Sequence, residues 1–231
     1  MKRESFDVND VHTVFSEHAN PRIARRQKAY MKNKFEFYGI QSVKRRELQQ
    51  PFLVKKWLPA KAEAFQLIRD LWAAPQREMQ YFALDLISRY HDQWEKGDAT
   101  ILEFLITEKS WWDTVDFLAV NSVGTYLKKF PEKRDGLVEN WLASGNIWLQ
   151  RSCLLFQLKY KDELDVSMMA SVIERLKGSR EFFINKAIGW ILREYSKTNP
   201  EWVDSYIRQS DLHPMSRREG MKWINKTKPS N

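Results

Sequence analysis

A chain of 231 residues with 43% apolar content, including 10 Trp and 13 Phe, can bury a substantial core, and its 38 Lys and Arg against 30 Asp and Glu leave a formal charge of +8. One cysteine, Cys153, excludes an internal disulfide framework and a cysteine-rich zinc site. No run approaches the ~18 apolar residues of a membrane span, and the N-terminal MKRESFDVND lacks the apolar core of a signal peptide, so a cytoplasmic protein off the membrane is expected, with a basic surplus that favours an anionic partner such as nucleic acid.

Helix-period spacing dominates and clean alternation is scarce, which predicts an all-α chain. Residues 1–20 read as an N-terminal helix or arm. Asn20-Pro21 is a capping side chain followed by Pro at the first helical position, and it opens RIARRQKAYMKNK. That segment carries Arg22, Arg25, Arg26, Lys28, Lys32 and Lys34, interleaved and followed by Tyr30, Phe35, Phe37 and Tyr38. Basic residues with aromatics suit phosphates and sugars. Pro75 opens QREMQYFALDLISRY, Ser179 opens REFFINKAIGWILREY, and Asn199-Pro200 opens EWVDSYIRQ. Gly97, Gly136, Gly145 and Gly178 fall between apolar segments, and residues 226–231 read as a disordered tail.

The helices recur in pairs. Aligning QREMQYFALDLI, SWWDTVDFLAV, NIWLQRSCLLFQL, EFFINKAIGWIL and SRREGMKWI brings Ala83, Asp116, Ser152, Ala187 and Gly220 into register, about 33 to 36 residues apart. That period, with two helices per unit, predicts an α-solenoid of HEAT-like repeats over 1–231, a single domain whose second helices line a concave, basic groove.

In SWWDTVD, Ser110 and Asp113 have capping-box spacing, which gives Asp113 a structural task. Trp111, Val115 and Leu118 then fall on a core face. Trp112 and Asp116 are i and i+4 and share another face. Arg151 holds a similar level one repeat on, with Trp148 a turn before it, and is expected to reach a phosphate. Lys186, Trp190 and Arg193 share a face one repeat later. No Gly-rich phosphate loop or G-x-S-x-G is present. The histidines at 12, 18, 91 and 213 lack ligand spacing, so no metal is expected.

With these residues in place, the chain resembles, over roughly 20–225, the AlkD family of DNA alkylation repair glycosylases, which are built from HEAT-like repeats. The resemblance rests on YMKNKFEFYGIQ, KSWWDTVD, NIWLQRSCLLFQLKYK and EFFINKAIGWILREYSKTNP. It implies excision of cationic N3- and N7-alkylpurines from double-stranded DNA, with the base left stacked, by a monomeric, nucleoid-associated enzyme without cofactor. By the same resemblance Asp116, Trp112 and Trp190 surround the sugar of the lesion, and Arg151, Tyr30, Gln41, Lys159, Phe183 and Arg193 contact DNA. A non-catalytic DNA-binding HEAT-repeat protein and a protein-interaction scaffold are the competing readings. The first would bind DNA and release no base; the second would show no salt-sensitive duplex binding.

Overall fold

The computed structural model describes residues 6–227, and among them the chain forms helices and no strand, as the periodicity predicts. The chain divides into two compact units, Met1–Glu95 and Lys96–Asn231.

The first unit contains α1 (Val8–Glu17), α2 (Pro21–Tyr30), α3 (Ser42–Gln49), α4 (Lys61–Ala73) and α5 (Arg77–Ile87). A capping box starts α1: the Asp7 carboxylate accepts from the N–H groups of Asn9 and Asp10, and Asp10 accepts from Asp7 N–H. Asn20 caps α2 as expected, with Pro21 at the first helical position. α2 buries none of its residues, because its apolar positions are too few to make a core stripe and its charges need water. The core beside it is aromatic, with Phe6 and Phe52 5.1 Å apart and Phe15 and Phe82 6.5 Å apart in an edge-on pairing.

The loop between α2 and α3 is fastened to the start of α5. The buried Glu78 carboxylate accepts from the N–H groups of Tyr38, Gly39 and Ile40 at 3.1, 2.9 and 3.1 Å. Arg77 lies with its guanidinium 3.8 Å from the Phe35 ring centroid, and its N–H donates to Glu36 O at 2.8 Å. Gly39 has φ +90°, and a Cβ there would lie 2.6 Å from Ala24 N and closer still to Asn20 O, so only glycine fits. Gln41, the residue before α3, is thereby presented at the surface from a fixed loop.

The second unit contains α6 (Ala99–Thr107), α7 (Trp112–Phe117), a π-helical segment (Leu118–Val123), α8 (Gly124–Lys129), α9 (Arg134–Ala143), α10 (Ile147–Leu155), α11 (Val166–Leu176), α12 (Phe182–Tyr195), α13 (Pro200–Gln209), α14 (Pro214–Gly220) and α15 (Lys222–Thr227). Helices α7 and α8 with the π segment make one continuous run. Within the unit this run packs on α10, α10 on α12, and α12 on α14, while α9 and α11 pack on α10 and α13 packs on α12 and α14. Each pair touches its neighbours in chain order, which is how an α-solenoid stacks. Asn146 and Asn199 cap α10 and α13 through their side chains.

Three boundaries differ from the sequence reading. The segment after Ser179 becomes helical at Phe182, and the Ser179 hydroxyl instead accepts from Glu181 N–H. SRREGMKWI is two helices that break at Met221. α15 runs to Thr227, so residues 226 and 227, expected in the tail, are helical; 228–231 lie outside the described residues.

Candidate active site

Helix α12 is buried on most sides, and its accessible residues after Phe182 are Phe183, Lys186, Trp190, Arg193 and Glu194. The first four are spaced i, i+3, i+7 and i+10, one stripe of an α-helix. On the α7 run Trp112, Asp116 and Val120 form a similar half-buried stripe, four residues apart. The face that the i, i+4 spacing assigned to Trp112 and Asp116 is therefore accessible, and Val115 and Leu118 are buried behind it.

Asp116 and Arg151 form a bidentate ion pair. Arg151 Nε donates to Asp116 Oδ1 at 2.7 Å and a terminal nitrogen donates to Oδ2 at 2.9 Å. The third arm of the guanidinium donates to the Phe183 carbonyl oxygen. One side chain from α10 thus binds α7 and the first turn of α12, fixing the carboxylate in one orientation. The fork geometry of arginine makes this possible, and lysine could not reproduce it. The pair is nearly dry, with side-chain exposures of 4% for Arg151 and 15% for Asp116. Trp111, Trp148 and Phe183 pack beside the pair with ring centroids 5.0 to 5.7 Å apart.

Burial pushes the Asp116 carboxyl above the usual aspartate range, the Arg151 hydrogen bonds and charge pull it back, and the nearby Asp113 charge adds to the rise. A second carboxylate behaves oppositely. Burial alone would raise Glu219, but its contacts with Lys222 and Lys186 bring it down to about 2. Cys153 is buried and its thiol is pushed far up by desolvation, which fits a core residue and no nucleophile.

Several sequence expectations change here. The capping box at Ser110 does not form. The Ser110 hydroxyl donates back to the carbonyls of Ile106 and Thr107 at the end of α6, and α7 begins at Trp112 without a side-chain cap. Asp113 has a first-turn position, where its charge faces the positive end of the helix. Trp111 is half-buried beside Trp148 and Phe183 and does not sit in the core with Val115. Arg151 turns inward to Asp116, where the sequence suggested an outward reach to phosphate.

Of the other named residues, Lys159 is exposed and donates to Asn121 Oδ1 at 2.8 Å. Arg193 is bonded to Glu219 at 3.1 Å. Trp190 is half-buried two turns beyond Phe183 on the accessible stripe. Tyr30, 69% exposed, and Gln41 lie on the surface of the first unit. Sequence reading missed Glu219 and Asn121. Their contacts with the predicted site residues, Asn121 with Lys159 and Glu219 with Arg193, span 38 and 26 positions, and no local pattern announces them. Among the described residues no group of three or more His, Cys, Asp or Glu is placed to hold a metal ion, and no helix is long and apolar enough to cross a membrane.

Against known proteins, a family model described as DNA alkylation repair enzyme matches residues 11–224. A solved structure described as a predicted DNA alkylation repair enzyme from Enterococcus faecalis is 31% identical, with a TM-score of 0.84, covering 90% of this chain and 98% of its own. No curated protein matches.

Proposed function

The chain belongs to the DNA alkylation repair enzyme family, and on that premise we propose that it is a monofunctional DNA glycosylase. It hydrolyses the N-glycosidic bond of cationic N3- and N7-alkylated purines in duplex DNA, with the base left in the stack. It works as a monomer, without cofactor, on the DNA of the cytoplasm.

The observation that carries this reading is the Asp116 carboxylate: held in a bidentate pair by Arg151, nearly dry, and on the same half-buried helix stripe as Trp112. An alkylated N3 or N7 purine already bears a positive charge. When the bond from C1′ to the base nitrogen breaks, the electron pair leaves with the base and neutralises it, so no general acid is required. The positive charge passes to the sugar as an oxocarbenium ion. A fixed negative charge beside C1′ lowers that barrier, because it needs no reorganisation as the charge develops. The faces of Trp112 and Trp190 add cation–π attraction of about 0.5–2 kcal/mol each. Water then adds to C1′, its proton passes to solvent, and an abasic site remains.

The direct test is incubation of methylated duplex DNA with the protein and identification of the bases released; intact alkylated bases in the DNA after prolonged incubation would defeat the proposal. The reading also predicts that borohydride traps no protein–DNA adduct. A lyase step needs an amine nucleophile, and the lysine on the accessible stripe, Lys186, is bound through Nζ to Glu219 at 2.9 Å. A trapped adduct on gel electrophoresis would replace hydrolysis by Schiff-base chemistry.

A further inference from the structure

Glu219 stands at the end of α14 with its side chain 5% exposed, and three cations converge on it. Lys186 binds Oε1 at 2.9 Å, Arg193 binds Oε2 at 3.1 Å, and Lys222 from α15 binds Oε1. Their own side chains stay 40%, 32% and 50% exposed, so none of the three is sealed from solvent. The close approach of two helices creates this arrangement. Gly189 lies in the middle of α12, where glycine costs about 1 kcal/mol of helix stability. A Cβ there would lie 2.9 Å from the Ser216 carbonyl oxygen and closer still to Glu219 Cβ. The glycine lets α14 press Glu219 against the stripe that carries Lys186, Trp190 and Arg193.

Three cations around one carboxylate leave a net charge of +2 at one spot. A structural ion pair needs one cation; the second and third are surplus to neutralising the glutamate. Without the carboxylate the cations would repel one another, and two of them are lysines with high rotamer entropy. With it, they are held at short range while their side chains stay partly exposed. We infer that Glu219 organises Lys186, Arg193 and Lys222 into one binding site for a phosphodiester of the DNA backbone. The inference rests on the proposed action on duplex DNA. It makes Glu219 a positioning residue: an anion that strengthens the binding of another anion.

The sign of one substitution separates positioning from charge balance. Glu219→Gln removes a negative charge from a DNA-binding face. If the glutamate only neutralises its neighbours, the variant binds duplex more tightly. If it organises them, the variant binds more weakly despite the added positive charge. Affinity for an undamaged duplex, measured by fluorescence anisotropy across a salt series, is expected to fall several-fold in Glu219→Gln. Lys186→Ala and Lys222→Ala, at half-exposed positions that keep the fold, are each expected to lower the slope of log K against log salt by about 1. Equal or tighter binding by a folded Glu219→Gln overturns the inference; so do wild-type slopes in both lysine variants, which decide the matter alone if Glu219→Gln does not fold. Salt-insensitive or absent duplex binding by the wild-type protein would instead remove the DNA reading itself, and the inference with it.

Discussion

Asp116→Asn is expected to slow base release from a duplex containing 7-methylguanine by about 10²–10³-fold under single-turnover conditions. The amide has the shape of the carboxylate and keeps one acceptor for Arg151, but it offers no charge to a sugar cation. Duplex affinity should stay near the wild-type value, because a nearly buried carboxylate contributes little to backbone contact. Stability will not be untouched. Removing one partner of a buried pair leaves the Arg151 charge uncompensated, at a cost on the order of 3–5 kcal/mol. Each kcal/mol lowers the melting temperature by about 2–4 °C in a protein of this size, so rates must be compared well below the melting transition of the variant. Asp113→Asn is the control. It removes a first-turn charge worth about 0.3–1 kcal/mol and leaves the Asp116–Arg151 pair intact, so excision should persist. Near wild-type release by Asp116→Asn would remove the carboxylate from the chemistry.

Arg151→Ala is the second large effect, and it acts through Asp116. Without the guanidinium the carboxylate keeps its desolvation and loses the hydrogen bonds and charge that oppose it. Its pKa must rise further. The active form is the ionised one, and the ionised fraction falls as pH drops through the folded-state pKa. The acid limb of the rate profile, already displaced above the ordinary aspartate value of about 3.9, is therefore expected to move to higher pH. Activity lost at the lower pH should return in part as pH rises. Stability follows the opposite sense: a raised aspartate pKa favours folding below the unfolded pKa and loses that contribution as pH rises through the folded one. The variant's stability deficit should accordingly shrink on acidification. Because the Arg151 side chain is 4% exposed, the salt dependence of duplex binding should barely change, whereas a phosphate-gripping arginine would lower the slope by about 1. A lower slope with an unmoved acid limb would mean that Arg151 turns outward to DNA.

The sequence made visible whatever repeats locally. Helix period gave the all-α fold, and the caps at Asn20 and Asn199 follow from one side chain and its neighbours. The shared face of Trp112 and Asp116, and that of Lys186, Trp190 and Arg193, follow from helical geometry alone. Direction across a repeat does not. Whether Arg151 points to water or to Asp116 depends on how α10 is rotated against α7, and one step of register decides it. Ser110 failed as a cap because its hydroxyl found the carbonyls of the helix before it, a competition that capping spacing cannot reveal. The loop that presents Gln41 is fixed by Glu78, about 40 residues away in sequence, and no short pattern marks such a residue.

The central claim is that fixed negative charge at Asp116 serves a base that is already a good leaving group. Matched duplexes carrying a cationic lesion, 7-methylguanine, and a neutral one, hypoxanthine, test it most directly when single-turnover base release is measured on both. The account predicts rapid release of 7-methylguanine, suppressed in Asp116→Asn, and no release of hypoxanthine above the uncatalysed rate, since the proposed mechanism supplies no proton to a neutral base. Comparable release of both bases, or release of 7-methylguanine unaffected by Asp116→Asn, would contradict it.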